Sequence, residues 1–134
     1  MTLRETGGTP AIRPGLRMER ETLVTEAMVT THAGGHRGGV LTTPTMILLM
    51  EAVAQDVTQP YLPPDHTTVG FEVAVRHLAP TLVGMTIRVT AELLEVDDRK
   101  LLFKVEAYNG RRKIGEGTLR RTIIRLGSLE EREG

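Results

Sequence analysis

The sequence predicts an α+β fold in which a curved, antiparallel, five-stranded sheet is wrapped around one central helix. Three observations lead to this prediction. One apolar run of helical length follows a threonine–proline pair, one strand-like segment precedes it, and four segments of alternating polarity come after it. Because short turns join the later segments, their strands are antiparallel. An apolar helix needs a covering surface, which a single curved sheet provides economically.

Composition limits the classes of protein to which the chain can belong. It has 134 residues and no cysteine, with 40% hydrophobic and 25% charged residues, which suits one globular domain rather than a disordered or disulfide-stapled chain. Seventeen basic residues balance seventeen acidic ones, and only 3% are aromatic, so we expect no nucleic-acid partner. No apolar run approaches the roughly 20 residues that cross a bilayer. We therefore expect a cytoplasmic protein without a membrane partner.

The first part of the chain is predicted to contain one strand between two irregular segments. Residues 1–15 are rich in Gly, Pro and Thr, and we expect a flexible N-terminal arm there. Residues 16–134 are predicted to form a single domain. Residues 18–30 alternate loosely and are predicted to be the first strand. Residues 31–39, THAGGHRGG, contain four glycines and are predicted to be a loop.

The central helix has a clear start signal. Thr43 is predicted to be its N-cap and Pro44 its first helical residue. The helix is expected to continue to about Thr58, before Pro60. Apolar side chains surround nearly the whole circumference of its first three turns, which is typical of a buried helix. Because one sheet cannot cover every side of a helix, we expect a second subunit.

Four further strands are predicted, at residues 66–78, 85–96, 101–108 and 113–126. In the first of these strands, alternation places five residues on one face: Val69, Phe71, Val73, Val75 and His77. The His77 ring is therefore expected to point towards the helix. Asp97-Asp98-Arg99 and Asn109-Gly110 are predicted to be hairpin turns. Gly115 and Gly117 suggest a bend or bulge in the last strand.

Glu51 is an acid inside the apolar helical run. Because a buried, unpaired carboxylate is costly, such a residue is expected to have a partner or a chemical task. The structural alternative is that Glu51 belongs to a polar stripe, since Gln55, Thr58 and Gln59 follow it four, seven and eight residues later. The sequence leaves both interpretations open.

His77 and Thr43 each have a structural and a chemical interpretation. A histidine on an apolar strand face is more often a core residue than a catalyst, but His77 is close to Pro80 at a strand end, where it can line a pocket. The hydroxyl of Thr43 is explained by helix capping. The start of a helix also presents free backbone N–H groups, which can hold a carbonyl oxygen or a developing oxyanion.

The remaining polar residues do not indicate a specific functional site. His32 and His36 lie in a glycine-rich loop without cysteine or a nearby carboxylate, so we expect no metal site. The glycines of that loop do not match a phosphate-binding pattern. Arg120, Arg121 and Arg125 of the last strand form either a solvated face or a phosphate clamp.

The order of elements and the spacing of three residues resemble the hot-dog thioesterases, and more narrowly the fluoroacetyl-CoA thioesterase-like family. The resemblance covers residues 18–126. In TPTMILLME, Glu51 follows Thr43 by eight residues. In VGFEVAVRHLAP, His77 follows Glu51 by 26 residues and Gly70 by seven. The segment IGEGTLRRTIIRL is similar to the last strand of the family.

The resemblance implies hydrolysis of an acyl-CoA thioester. It makes Thr43, Glu51 and His77 the catalytic group, with Gly70 seating the thioester through its backbone and Arg121 near the CoA. It implies no cofactor besides the CoA that the substrate carries. The fluoroacetyl-specific member has phenylalanines in the segment before the helix, whereas THAGGHRGGV has no aromatic residue. We therefore do not expect fluoroacetyl-CoA to be the substrate.

The spacing of Thr43 and Glu51 bears on where such a site would lie. Eight helical residues span about 12 Å, so both side chains of one chain cannot easily touch one small reacting group. Either one of them is structural or the site lies between two subunits, which suits a homodimer or a larger assembly. Two other functions stay open: a hot-dog hydratase or dehydratase, and a non-catalytic acyl-CoA-binding module.

Overall fold

The computed structural model describes residues 12–32, 38–128 and 130. Its elements in chain order are β1 (Arg17–Leu23), β2 (Val29–Thr30), β3 (Val40–Leu41), α1 (Thr43–Thr58), β4 (His66–His77), β5 (Thr86–Asp97), β6 (Lys100–Asn109) and β7 (Arg112–Arg125). Five strands form an antiparallel sheet in the order β1-β5-β6-β7-β4, and α1 packs against one face of it. The predicted architecture is confirmed. Among the described helices, none is long and apolar enough to cross a membrane.

The strand predicted at residues 18–30 is shorter than expected. β1 pairs with β5, and the ladder ends at Leu23 because β5 begins opposite it, at Thr86. The chain then makes a 3-10 turn (Glu26–Met28), and β2 pairs with β3 in a separate two-stranded ladder that the sequence did not predict.

The last residues of the predicted N-terminal arm pack against the domain. Ile12 packs against the core, and the Gly15 N–H donates to the Leu93 carbonyl oxygen at 2.8 Å. The remainder of the predicted arm, residues 1–11, and the middle of the predicted loop, residues 33–37, lie outside the described residues.

The N-cap of α1 is Thr42, and the prediction of Thr43 is wrong. The Thr42 backbone is extended, and its side-chain oxygen accepts the Thr45 N–H at 3.2 Å. Thr43 is therefore the first helical residue and Pro44 the second. Since Thr42 and Thr43 are neighbours of the same type, the sequence does not distinguish them. The displacement leaves the Thr43 hydroxyl free of capping.

One face of α1 is buried, rather than its whole circumference. Met46, Met50, Val53 and Ala54 are at most 2% exposed against the sheet, whereas Leu48 is 66% exposed. Within one chain the sheet covers one side of the helix only, and cover of the other side by a second subunit stays a prediction.

Gly115 lets α1 approach β7 closely. A Cβ at this position would lie 2.5 Å from Sδ of Met46, too close for any side chain without displacement of the methionine. The predicted irregularity of the last strand is also present, because the β6–β7 register shifts between Ala107 and Tyr108, beside Gly115.

A β-bulge in β4 changes which residues face α1. The register with β7 shifts between Gly70 and Glu72, which leaves Phe71 as the additional residue. Before the bulge the even-numbered Gly70 faces the helix, and after it the odd-numbered Val75 and His77 do so. Val69 and Phe71 are 39% and 50% exposed. The prediction that these two share a face with His77 is wrong, because one extra residue reverses the alternation.

The remaining strands and turns follow the prediction. Two-residue turns join β5 to β6 and β6 to β7, with positive φ at Asp98 (58°) and Gly110 (61°). The sheet face towards α1 carries alternating apolar residues that are at most 1% exposed, among them Ile87, Val89, Ala91, Leu93, Leu101, Phe103, Val105 and Leu119. They form, with α1, one contiguous hydrophobic core.

Candidate active site

The structure places the five predicted site residues in two groups along α1. The first group, the threonine–histidine pair, consists of Thr43 and His77. The second, the carboxylate cluster, consists of Glu51, Arg121, Gly70 and Thr68. Both lie on the helix side of the sheet because the bulge in β4 turns Gly70 and His77 to the same side.

The threonine–histidine pair joins the start of α1 to the end of β4. Oγ1 of Thr43 lies 2.7 Å from Nδ1 of His77. Because Thr42 caps the helix, the Thr43 hydroxyl is available as a donor to a neutral imidazole, with the tautomer assigned from the hydrogen-bond geometry. A hydroxyl and a histidine within hydrogen-bond distance are the arrangement found in activated nucleophiles and in sites that bind a carbonyl group.

The surroundings of His77 favour its neutral form. Burial lowers the pKa of the imidazole below its ordinary value, and the Ala79 backbone opposes part of this shift. Nε2 is buried and has no hydrogen-bond partner among the described residues. A neutral imidazole near pH 7 can accept a proton, which is the requirement for a general base.

The carboxylate cluster explains the acid within the apolar run of α1. Oε1 of Glu51 accepts a hydrogen bond from Nη1 of Arg121 at 2.6 Å. Arg121 is only 6% exposed, and Thr68 holds it by two further hydrogen bonds of 2.8 Å, from Nε to the Thr68 hydroxyl and from Nη2 to its carbonyl oxygen. Glu51 is therefore one half of a hydrogen-bonded ion pair in which the Arg121 side chain is buried and the Glu51 side chain is 23% exposed.

The polar-stripe interpretation of Glu51 does not describe its contacts. Gln55 donates to the Thr67 hydroxyl, which in turn donates to Gln59, so these glutamines bind the start of β4. Thr58 is fully buried. Glu51 instead contacts Arg121 and Gly70.

Gly70 provides the space that the Glu51 carboxylate occupies. A Cβ at this position would lie 2.7 Å from Oε2 and 3.1 Å from Oε1 of Glu51. The carboxylate thus rests against bare backbone on β4. Whether that backbone also seats a substrate, as the resemblance implies, stays a prediction, as does a contact between Arg121 and CoA; the three described hydrogen bonds of Arg121 go to Thr68 and Glu51.

The two groups do not join within one protomer. In the described part of the chain, Glu51 makes its hydrogen bond to Arg121 and His77 makes its own to Thr43. The catalytic group of Thr43, Glu51 and His77 that the resemblance implies is therefore not joined by hydrogen bonds inside a single subunit.

A cavity of about 700 Å³ adjoins the threonine–histidine pair. Its lining is mainly apolar and comes from the β2–β3 ladder, the start of α1 and the segment after β4: Thr30, His32, Val40, Leu41, Thr42, Thr43, Pro44, His77, Leu78, Ala79 and Pro80. This volume is typical of small-molecule sites.

Sequence reasoning missed Thr68, Thr30 and the position of His32 on the cavity wall. Thr68 has no distinguishing signal in a strand, and loop residues follow no periodicity. Within residues 12–32, 38–128 and 130, no group of three or more His, Asp or Glu side chains could hold a metal ion.

Comparisons with known proteins point to one family. A family model described as fluoroacetyl-CoA-specific thioesterase matches residues 24–126, more than half of the chain. The fluoroacetyl-CoA thioesterase of Streptantibioticus cattleyicolor is 40% identical over 87 residues, which are 65% of this chain and 63% of that enzyme. The matched region thus spans less than two thirds of the relative's length.

Solved structures agree with this match. A structure of the fluoroacetyl-CoA thioesterase FlK superposes with a TM-score of 0.83 at 31% identity, covering 92% of this chain and 96% of that one. A hot-dog-like protein from Thermanaerovibrio acidaminovorans has the same TM-score, 0.83, at 19% identity, covering 99% of this chain and 95% of the other. The second likeness concerns the fold alone, which is the hot-dog fold.

Proposed function

Because this chain belongs to the fluoroacetyl-CoA-specific thioesterase family of thioester hydrolases, we propose that it hydrolyses acyl-CoA thioesters at a site shared between two subunits. The observation that carries the proposal is the 2.7 Å contact between the Thr43 hydroxyl and the His77 imidazole beside a 700 Å³ cavity. The cavity gives room for an acyl group next to a base.

His77 acts as the general base. Its imidazole takes a proton from the attacking group as the new C–O bond to the thioester carbonyl forms. The C–S bond then breaks, and the CoA thiolate leaves with that proton. The lowered pKa of His77 keeps the ring neutral, and so ready to accept the proton, at pH 7.

Thr43 has two possible roles in this reaction. Its hydroxyl either attacks the carbonyl carbon, forming an acyl-threonine that water then hydrolyses, or binds the carbonyl while His77 activates water directly. Both routes use the same hydrogen bond. They differ in whether a covalent intermediate accumulates.

The edge of the sheet supports assembly into a dimer. β4 is an edge strand of 12 residues, and Val69, Phe71 and Val73 on it are 39–50% exposed. A long apolar edge is a template for pairing with another strand. β1, at the other edge, has seven residues, RMERETL, and is protected by its charges. A second copy of β4 is the partner that a homodimer supplies.

Because of the bulge, one register of pairing between β4 and the partner's β4 brings equivalent faces of the two strands together. If Ala74 lies opposite the partner's Ala74 in an antiparallel pair, side chains that face α1 meet others that face α1. Val75 then lies opposite the partner's Val73. Beyond the additional residue Phe71, Gly70 lies opposite the partner's His77.

This register joins the two groups of site residues. Glu51 rests against Gly70, so it comes within reach of the partner's His77. There its carboxylate would orient the imidazole and stabilise its charged form, as in other carboxylate–histidine pairs. The dimer would contain two such sites.

The acyl group is proposed to differ from fluoroacetyl. The segment THAGGHRGGV before α1 has no aromatic residue. A shared catalytic group with altered substrate preference is common within enzyme families.

Release of free thiol from a panel of acyl-CoA esters tests the activity. Acetyl, short branched, aromatic and long-chain esters would be assayed with the wild type, with His77→Ala and with a control, His66→Ala, which alters a histidine outside the cavity. We expect hydrolysis that His77→Ala abolishes and His66→Ala retains. Binding of the esters without any thiol release from folded protein would instead indicate a non-catalytic module.

A disulfide at the two-fold axis tests the shared site. The chain contains no cysteine, so Ala74→Cys introduces a single thiol. Directly opposed residues in antiparallel strands lie about 4.5–5.5 Å apart between Cα atoms, which suits a disulfide. We expect covalent dimers from Ala74→Cys under oxidation and none from Lys104→Cys, an exposed position on the interior strand β6. Monomers from both variants would contradict the proposed register.

A further inference from the structure

The cavity contains a second histidine that the proposed hydrolysis does not use. His32 and Thr30 line the cavity together with Thr43 and His77. Oγ1 of Thr30 lies 2.7 Å from Nδ1 of His32 and accepts the His32 backbone N–H at 3.3 Å. The Thr30 hydroxyl thus contacts both the backbone and the imidazole of His32.

The Thr30 contacts permit the tautomer of His32 in which Nδ1 is the acceptor, and the inference uses this tautomer. The Thr30 oxygen accepts the backbone N–H, and its own proton can be donated to Nδ1. The ring proton then resides on Nε2, which this assignment makes a hydrogen-bond donor. His32 is exposed and lies on the cavity wall.

The other polar side chains on the cavity wall are already engaged. Thr42 caps α1 and donates to Thr45, while Thr43 contacts His77. Nε2 of His77 is buried. Within the described part of the wall, His32 is thus the exposed ring whose second nitrogen is uncommitted.

We propose that His32 determines acyl specificity, because its Nε2–H donates to an oxygen substituent on the acyl chain, such as a hydroxyl, keto or carboxylate oxygen. This inference rests on the proposed thioester hydrolysis. The apolar wall, including Val40, Leu78 and Pro80, accommodates the carbon chain, and His32 adds one polar contact away from the threonine–histidine pair. The preferred substrates are oxygen-bearing acyl thioesters of more than two carbons.

Matched ester pairs test the inference. Butanoyl-CoA is compared with 3-hydroxybutanoyl-CoA, and pentanoyl-CoA with glutaryl-CoA, as the ratio of kcat/KM within each pair. For the wild type we expect the oxygenated ester to be preferred about fivefold in at least one pair, which is the scale of one hydrogen bond. In His32→Ala this ratio should fall towards one, mainly through a higher KM for the oxygenated ester.

Two further variants show whether the effect of His32→Ala comes from lost substrate recognition or from a change in the folded structure. Thr30→Val keeps the imidazole but removes its anchor, and we expect an intermediate ratio. His66→Ala removes a histidine outside the cavity, and we expect the wild-type ratio. Unfolding temperatures of the three proteins would show whether any loss is structural.

Three results would overturn the inference. One is a His32→Ala variant that retains the wild-type ratio. Another is a variant that loses activity equally on both members of each pair, which would indicate a contact with the CoA arm. The third is a wild type without any preference. If the wild type released no thiol, the proposed hydrolysis would fail, and calorimetric Kd values for the same ester pairs would decide the role of His32 separately.

Discussion

Thr43 and His77 form a 2.7 Å contact between hydroxyl oxygen and imidazole nitrogen, although 34 residues separate them in the sequence. Two local features produce this contact. Thr42 takes over the capping of α1, and the bulge at Phe71 turns the end of β4 so that His77 faces the helix start. The contact brings a hydroxyl and a base to the edge of the cavity.

Substitutions of the adjacent Thr42 and Thr43 should affect different properties, the first stability and the second catalysis. Thr42→Ala removes the cap and is expected to lower the free energy of unfolding by about 1 kcal/mol. Thr43→Val removes the hydroxyl beside His77, so kcat should fall at least tenfold while the free energy of unfolding changes by less than about 0.5 kcal/mol. Chemical denaturation and thiol-release kinetics measure both. The reverse pattern would restore Thr43 as the cap.

Two glycines should respond differently to alanine. In Gly70→Ala the new Cβ meets the Glu51 carboxylate, which must move, so we expect a loss of activity from a folded protein. In Gly115→Ala it meets Met46 in the core, so we expect a lower unfolding temperature, from about 1–3 kcal/mol of overpacking. Kinetics and thermal unfolding of both variants provide the comparison. An active Gly70→Ala enzyme would contradict the assignment.

Two substitutions of Glu51 should distinguish its structural role in the ion pair with Arg121 from its role in catalysis. Glu51→Gln retains an oxygen that accepts from Arg121, so folding should be largely intact while turnover is abolished. Glu51→Ala leaves Arg121, 6% exposed, without its counter-charge, and should cost about 3 kcal/mol. The free energy of unfolding and kcat are measured for each. Full activity in Glu51→Gln would show that the carboxylate has only a structural role.

The lowered pKa of His77 predicts a pH dependence of stability. The pKa of this histidine is below 6.5 in the folded chain, so as the pH falls below 6.5 the unfolded chain binds the proton more readily than the folded chain. The stabilisation is thus complete above pH 6.5 and is lost towards the pKa of the folded state. His77→Gln should lose less stability than the wild type between pH 7.5 and pH 5, measured by urea denaturation.

The same pKa sets the acid limb of the activity. Protonation of the base removes catalysis, so kcat/KM should fall on acidification; burial alone puts the midpoint below 6.5, and the partner's Glu51 in the shared site would move it upwards. The profile of His66→Ala should coincide with that of the wild type. A kcat/KM that does not fall on acidification would show that His77 is not the base.

Much of the fold was predictable because its signals are local. The Thr-Pro start and the apolar run predict α1, alternation predicts β5 and β6, and the Asp-Asp-Arg and Asn-Gly turns predict their hairpins. Each signal depends on the conformational preferences of a few consecutive residues. The spacing of Thr43, Glu51 and His77 likewise indicated the family.

Other features depend on residues that are distant in the sequence. The bulge at Phe71 arises in the register of β4 with β7, and it brings the even-numbered Gly70 and the odd-numbered His77 to one face of the sheet. The buried partner of Glu51 comes from Arg121, 70 residues away. The alternation of residues along one strand predicts neither the bulge nor the Glu51–Arg121 contact. Strand register and ion-pair partners are determined by the packing of separate segments against each other.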